Sequence, residues 1–81
     1  MNDLKVESLI SAEAQRLSEK YGKDYLEFAD IVKITGLGRD NVRNLMSRKD
    51  FPVTRVGKRR IVSVVAFATW QIQNMEVNNG K

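Results

Sequence analysis

A chain of 81 residues has room for one domain with a thin core and for no deep pocket. It contains neither cysteine nor histidine, which excludes disulfides, zinc–thiolate sites and the most common general base. With 42% hydrophobic and 30% charged residues, no secretory signal and no apolar run of membrane-spanning length, the chain is expected to be a small, soluble, intracellular binding module.

The first half of the chain predicts three helices. Apolar residues recur at steps of three or four over residues 4–21, which is the period of an amphipathic helix. A shorter helix is expected over 27–35 and a third over 39–48. Between these two, the Gly-Leu-Gly run of residues 36–38 predicts a tight turn from which Leu37 reaches the core.

The second half predicts a hairpin followed by a helix. Two short apolar runs, 53–56 and 61–62, read as strands, and the Gly-Lys-Arg-Arg stretch at 57–60 joins them. Ser63 is a suitable N-cap for a final helix over 64–75. The residues expected on its inner line are Val65, Ala68 and Ile72, with Trp70 as a core anchor beside them.

Positive charge is concentrated in one block of the chain. Residues 36–60 hold eight basic and two acidic side chains, whereas residues 1–35 hold five basic and seven acidic ones. A local excess of this size attracts a polyanion. The exposed side of the third predicted helix also carries asparagines, which favour helix less than the glutamate or lysine usual on a solvated face.

The predicted order is helix, glycine turn, helix, basic hairpin, helix, and two short helices joined by such a turn are typical of helix-turn-helix proteins. In that motif the second helix lies in the DNA major groove. Arginine pairs with guanine and asparagine with adenine, which makes Arg43 and Asn44 the best candidates for base contact. The full set of candidate DNA-binding residues is Arg39, Asn41, Arg43, Asn44, Ser47, Arg48, Arg55, Lys58, Arg59 and Arg60. Arg48 and the hairpin tip at 57–60 are expected on phosphates, the tip against the backbone or the adjacent minor groove.

An ordered series of short motifs runs through this part of the chain. They are Phe28-Ala29-Asp30-Ile31, Thr35-Gly36-Leu37-Gly38-Arg39, Asn41-Val42-Arg43-Asn44-Leu45, Asp50-Phe51-Pro52, Val56-Gly57-Lys58-Arg59-Arg60 and Trp70. With them, residues 25–71 resemble the small winged helix-turn-helix proteins of the excisionase and AlpA type, relatives of the MerR DNA-binding domain. The resemblance implies a mainly α fold with a small β-hairpin, here with an extra N-terminal helix. It also implies an excisionase-type recombination directionality factor or a transcriptional regulator of a mobile element or phage.

The sequence departs from this family at two positions. Gly38 stands where the family usually has a serine or threonine that caps the recognition helix, so we expect a less tightly held helix start. Lys49 stands where a glycine is usual. Either Lys49 adopts a left-handed conformation, at a cost of roughly 1 kcal/mol, or the helix continues past it.

These observations divide the chain into an N-terminal helix and connector (1–24), a winged helix-turn-helix domain (25–75) and a disordered tail (76–81). The expected partner is double-stranded DNA, with a second copy of the chain or an integrase-type protein as a further partner. No membrane, small-molecule ligand, metal or cofactor is expected. The expected location is the cytoplasm of a bacterial or phage-infected cell, at the nucleoid.

Two other functions stay open at this point. The same DNA contacts would serve a recognition subunit of phage packaging or replication machinery. The basic block would also suit an adaptor that binds an acidic protein. An enzyme is not expected, because Asp24, Glu27 and Asp30 could cluster but have neither an apolar pocket nor metal-ligand spacing around them.

Overall fold

Residues 3–75 are described by a computed structural model, and the tail predicted for 76–81 lies outside the described residues. The elements are helices α1 (Asp3–Tyr21), α2 (Phe28–Thr35), α3 (Arg39–Met46) and α4 (Val64–Gln73), and strands β1 (Tyr25–Leu26), β2 (Thr54–Val56) and β3 (Arg59–Ser63). The prediction of a mainly helical chain with a small hairpin is confirmed. Two boundaries were predicted too far along the chain: α3 ends at Met46, which leaves Arg48 beyond it, and α4 ends at Gln73.

The strands form one antiparallel sheet in the order β1-β3-β2. β3 pairs with β2 as the predicted hairpin, and its other edge pairs with β1, where Leu26 lies opposite Val62. β1 has only two residues, too few for any alternation of polar and apolar positions, and so the sequence did not predict it. This short strand ties the connector between α1 and α2 to the hairpin.

All four helices contribute to one core. α1 packs against α4 through residues that include Leu17 and Phe67, each 1% exposed. Ile31 of α2 and Val42 of α3 are fully buried in the same cluster. Trp70 packs against this core as expected, with its ring centroid 4.9 Å from that of Phe51 in an edge-to-face arrangement.

Two predicted core positions are wrong. Val65 is 58% exposed, because the buried face of α4 instead begins at Val64 and continues through Phe67 and Ala68. α4 is apolar nearly all around, so its sequence allows more than one inner line. Leu37 is 42% exposed: Gly36 turns the chain in the left-handed region (φ 72°), and Leu37 projects outward from the connector.

The two departures from the family pattern have different outcomes. Gly38 is the N-cap of α3 and provides no side-chain hydrogen bond to it, as expected. The expectation that Lys49 is left-handed or helical is wrong, since among residues 3–75 positive φ angles occur only at glycines and α3 has already ended. The chain instead turns through 47–50, where the Arg48 amide donates to the Leu45 carbonyl at 3.1 Å. No helix within residues 3–75 has both the length and the apolar character needed to cross a membrane.

Candidate nucleic-acid interface

The exposed face of α3 is set by two buried residues. Val42 and Met46 face the core, at 0% and 4% exposure. Successive helical residues rotate by about 100°, which puts Asp40 and Asn44 at the middle of the opposite, exposed face. Arg39 and Arg43 therefore occupy one flank of that face, and Asn41 occupies the other.

The flank with the two arginines borders a groove between α3 and the hairpin. This groove has a volume of about 400 Å³, and its lining residues are Phe28, Arg39, Arg43, Met46, Lys58 and Arg60. Arg39 and Arg43 come from α3, whereas Lys58 and Arg60 come from the β2–β3 turn and from β3. The basic side of α3 and the cationic hairpin thus share one surface.

Phe28 forms the aromatic base of this groove. The guanidinium carbon of Arg39 lies 4.8 Å from the Phe28 ring centroid, and that of Arg43 lies 5.6 Å from it. Both distances are within the range of a cation–π interaction. One ring at the start of α2 therefore holds two cations of α3 in place.

The two arginines of the hairpin tip, Arg59 and Arg60, contact other parts of the protein. Arg60 donates to the backbone carbonyl of Met46, the last residue of α3, while its Nε is buried without a hydrogen-bond partner. Arg59 forms an ion pair with Glu27 at the start of α2. Successive residues of a strand point to opposite faces, so these contacts hold the hairpin on two sides. In the part of the chain that the structure describes, Lys58 has no ion-pair partner, whereas Arg59 pairs with Glu27. The expectation that the tip at 57–60 lies on phosphates stays a prediction.

Two further arginines form ion pairs along the chain. Arg43 contacts Asp40 at 2.7 Å, and Arg48 contacts both carboxylate oxygens of Asp50 at 2.9 and 2.6 Å. The hydrogen bonds from Arg48 hold the pKa of Asp50 below its ordinary value. All four side chains are more than half exposed, and exposed pairs of this kind contribute little to stability because water and salt screen them. Either arginine can therefore leave its carboxylate for a stronger anion at small cost.

The opposite flank of α3 borders a second hollow, of about 370 Å³. It is lined by Leu37, Asn41, Asn44, Leu45 and Arg48. Here two amide side chains stand beside two leucines. Amides can donate to and accept from base edges, and apolar groups contact the thymine methyl. Ser47 lies between the two flanks and donates its hydroxyl proton to the Arg43 carbonyl at 3.0 Å, which leaves its oxygen as an acceptor.

Arg55 completes the predicted set, on the hairpin. It is the register partner of Arg60 across the β2–β3 ladder, so the two side chains emerge on the same face of the sheet. Like charges directly opposite each other destabilise a sheet. Arg55 therefore adds positive charge next to the groove, although its position opposite Arg60 lowers folding stability.

Three residues of this surface were missed by sequence reasoning. Phe28 is a partly buried apolar position of α2, and its contact with Arg39 and Arg43 was missed because the spacing of these residues is not periodic and only the fold brings them together. Glu27 was considered only as part of an acidic cluster and Asp40 was assigned no role, yet each pairs with a candidate arginine. The signal for Asp40 was available, since acidic and basic residues three apart on a helix are neighbours.

The acidic residues considered for catalysis have structural partners. Asp30 is buried and accepts from the Lys23 ammonium at 2.9 Å and from the Glu27 amide at 2.8 Å, which closes the start of α2. Asp24 accepts from the Ser18 hydroxyl at 3.0 Å. Among residues 3–75, no three His, Cys, Asp or Glu side chains are grouped so that they could hold a metal ion.

Comparisons with models of protein families, with curated proteins and with solved structures gave no match to this chain.

Proposed function

We propose that the protein binds double-stranded DNA in a sequence-dependent way, as a winged helix-turn-helix module. In this proposal α3 enters the major groove, and the β2–β3 hairpin lies as a wing on the backbone or the adjacent minor groove. The observation that carries the proposal is the common surface of α3 and the hairpin, where Arg39, Arg43, Lys58 and Arg60 border one groove. An α3 of eight residues is about 12 Å long, which suits a major groove about 12 Å wide.

The middle of the exposed face of α3 is proposed to read bases. Asn44 lies there, flanked by Asn41 and the Ser47 hydroxyl, and asparagine can pair with both N6 and N7 of adenine. Leu37 and Leu45 beside them provide apolar contact for a thymine methyl. We therefore expect the recognised site to include A·T pairs.

The biological role is proposed from the resemblance described above. It is that of an excisionase-type directionality factor or of a transcriptional regulator of a mobile element or phage, acting in the cytoplasm at the nucleoid. One module of this size buries roughly 600–1,000 Å² on DNA. We therefore propose that two copies on adjacent sites, or one copy with a protein partner, reach useful specificity.

The test is selection of bound duplexes from a random pool, followed by sequencing and by affinity measurement at several salt concentrations. We expect an enriched motif and, for about five neutralised phosphates, a slope of log K against log salt near −4.5. Asn44→Ala should relax selection at one A·T position, whereas Gln73→Ala, an exposed amide on α4, should leave the motif unchanged.

Two results would contradict the proposal. A protein that retains its fold and binds no duplex at low salt does not have this function. A protein that binds an acidic polypeptide more tightly than any duplex is instead an adaptor, and its basic surface serves a protein partner.

A further inference from the structure

The groove between α3 and the hairpin carries a concentration of positive charge. Four of its six lining residues are cationic, and no carboxylate is among the six. Each cation lies near others of the same sign, which raises the electrostatic energy of the folded state. An anion of matching geometry would remove that repulsion.

Three of the four cations are also held in place before any ligand binds. Phe28 fixes the guanidinium groups of Arg39 and Arg43 by cation–π contact, and the Met46 carbonyl fixes that of Arg60. Fixed donors lose little side-chain entropy when they bind, so such a site gains affinity. The Arg60 Nε is buried and unpartnered, which leaves a donor unsatisfied beside the groove.

We propose that this groove binds a single phosphate group, held by Arg39, Arg43, Lys58 and Arg60. The guanidinium fork matches the oxygens of phosphate, and Lys58 at the tip adds a point charge from the hairpin side. As a site on DNA, it rests on the function proposed above, with the phosphate that of the backbone strand passing between α3 and the wing. The phosphate chemistry itself does not depend on that function.

This site changes the role of one residue. Arg43 was a candidate for base contact, but it lies over Phe28 on the hairpin side of α3, while Asp40 and Asn44 occupy the middle of the face. The Asp40 carboxylate accepts from one terminal nitrogen of Arg43 at 2.7 Å, and the rest of the guanidinium remains for the ligand. Arg43 is thereby assigned to phosphate binding, and base choice is left to the neighbouring asparagines.

Two experiments test the site on the full chain. In the first, inorganic phosphate is added to the protein alone at constant ionic strength, and the arginine Nε–H resonances and the backbone amide resonances of Lys58 and Lys20 are followed by NMR. We expect saturable shifts at the four lining cations and none at Lys20, a basic residue of α1. Chloride in place of phosphate should produce no such shifts.

In the second experiment, single backbone phosphates of the selected duplex are replaced one at a time by neutral methylphosphonate. One position should weaken wild-type binding about tenfold, as expected for a lost charge-assisted contact. Arg43→Ala and Lys58→Ala should bind about tenfold more weakly than wild type and lose their sensitivity at that same position. Lys20→Ala, which removes the same charge from α1, should retain the full sensitivity.

The outcomes separate the two proposals. If Arg43→Ala changes the selected base at one position and remains sensitive to every methylphosphonate, Arg43 reads a base and the phosphate site is wrong, while DNA binding stands. If the chain binds no duplex but inorganic phosphate shifts the lining residues, the groove is a site for a free phosphate group and the proposed function fails. If the chain binds no duplex and inorganic phosphate shifts none of the lining resonances, both proposals fail.

Discussion

The ion pair between Arg59 and Glu27 provides a quantitative test of how intramolecular carboxylates limit binding to a polyanion. Arg59 is two-thirds exposed and Glu27 half exposed, so the pair contributes little to folding, about 0–1 kcal/mol at most. Glu27→Gln removes the negative charge and releases one guanidinium of the hairpin. We therefore expect little change in stability and one additional phosphate contact.

One added contact steepens the slope of log K against log salt by about 0.9. Between 50 and 200 mM salt, the ratio of variant to wild-type affinity should thus change by about 3.5-fold, in favour of the variant at low salt. Fluorescence anisotropy with a labelled duplex over that salt range measures it. Glu19→Gln on α1 is the matched control, because it removes the same charge from an exposed helix away from the groove. Parallel slopes for wild type and Glu27→Gln would refute the argument that Arg59 is held back by its carboxylate.

Three further predictions concern the fold and its pH dependence. Phe67→Ala removes a side chain that is 1% exposed and should lower the free energy of unfolding, measured by urea denaturation, by about 3–5 kcal/mol. Val65→Ala, at a position 58% exposed, should lower it by less than about 0.5 kcal/mol. Similar losses for the two variants would contradict the observed inner face of α4. Gly38→Ser has open space for its side chain and an extended backbone at the N-cap of α3, and should raise stability by a few tenths of a kcal/mol, seen as a slightly higher Tm. DNA affinity should change less than about twofold between pH 6 and 7.5, because the chain has no histidine, and because hydrogen bonds from Arg16 and Arg48 lower the pKa values of Glu13 and Asp50. The folding stability that these two carboxylates contribute is present above their ordinary pKa range and is lost only as pH falls through the lowered values. Neither group therefore titrates near neutral pH, and a change in DNA affinity there would show that another group controls binding.

Local signals account for what the sequence predicted correctly. The three- and four-residue spacing of α1 and the Ser63 cap of α4 are properties of neighbouring residues; in the structure, the Ser63 hydroxyl accepts from the Ala66 amide at 2.9 Å. Contacts between distant segments were not accessible in this way. Neither the two-residue strand β1 nor the stacking of α3 arginines on Phe28 leaves a periodic pattern, and each depends on how helices and sheet pack together.

The basic residues of the hairpin tip show the same limit of sequence-based prediction. They look equivalent in the sequence, but in the fold their contacts differ. Arg59 is drawn to Glu27, and Arg60 secures the hairpin to the end of α3, while Lys58 between them is left at the tip. If the protein binds DNA as proposed, loss of Arg60 should therefore weaken that binding through the position of the hairpin as well as through charge. Arg60→Lys separates these effects, because lysine retains the charge but not the planar fork.

The positive charges on this surface lower the stability of the free protein, and in the proposed function the same charges raise its affinity for DNA. Arg55 faces Arg60 across the β-ladder, and Arg39 shares one aromatic ring with Arg43, so like charges lie close together at two places on this surface. Local choices that conflict with folding are expected at functional sites, where a ligand removes the conflict. A polyanion would do so here, and the free energy of repulsion relieved on binding would then contribute to affinity. Folding should accordingly become more stable as salt is added to the free protein, since added ions screen the repulsion, whereas DNA binding should weaken over the same range.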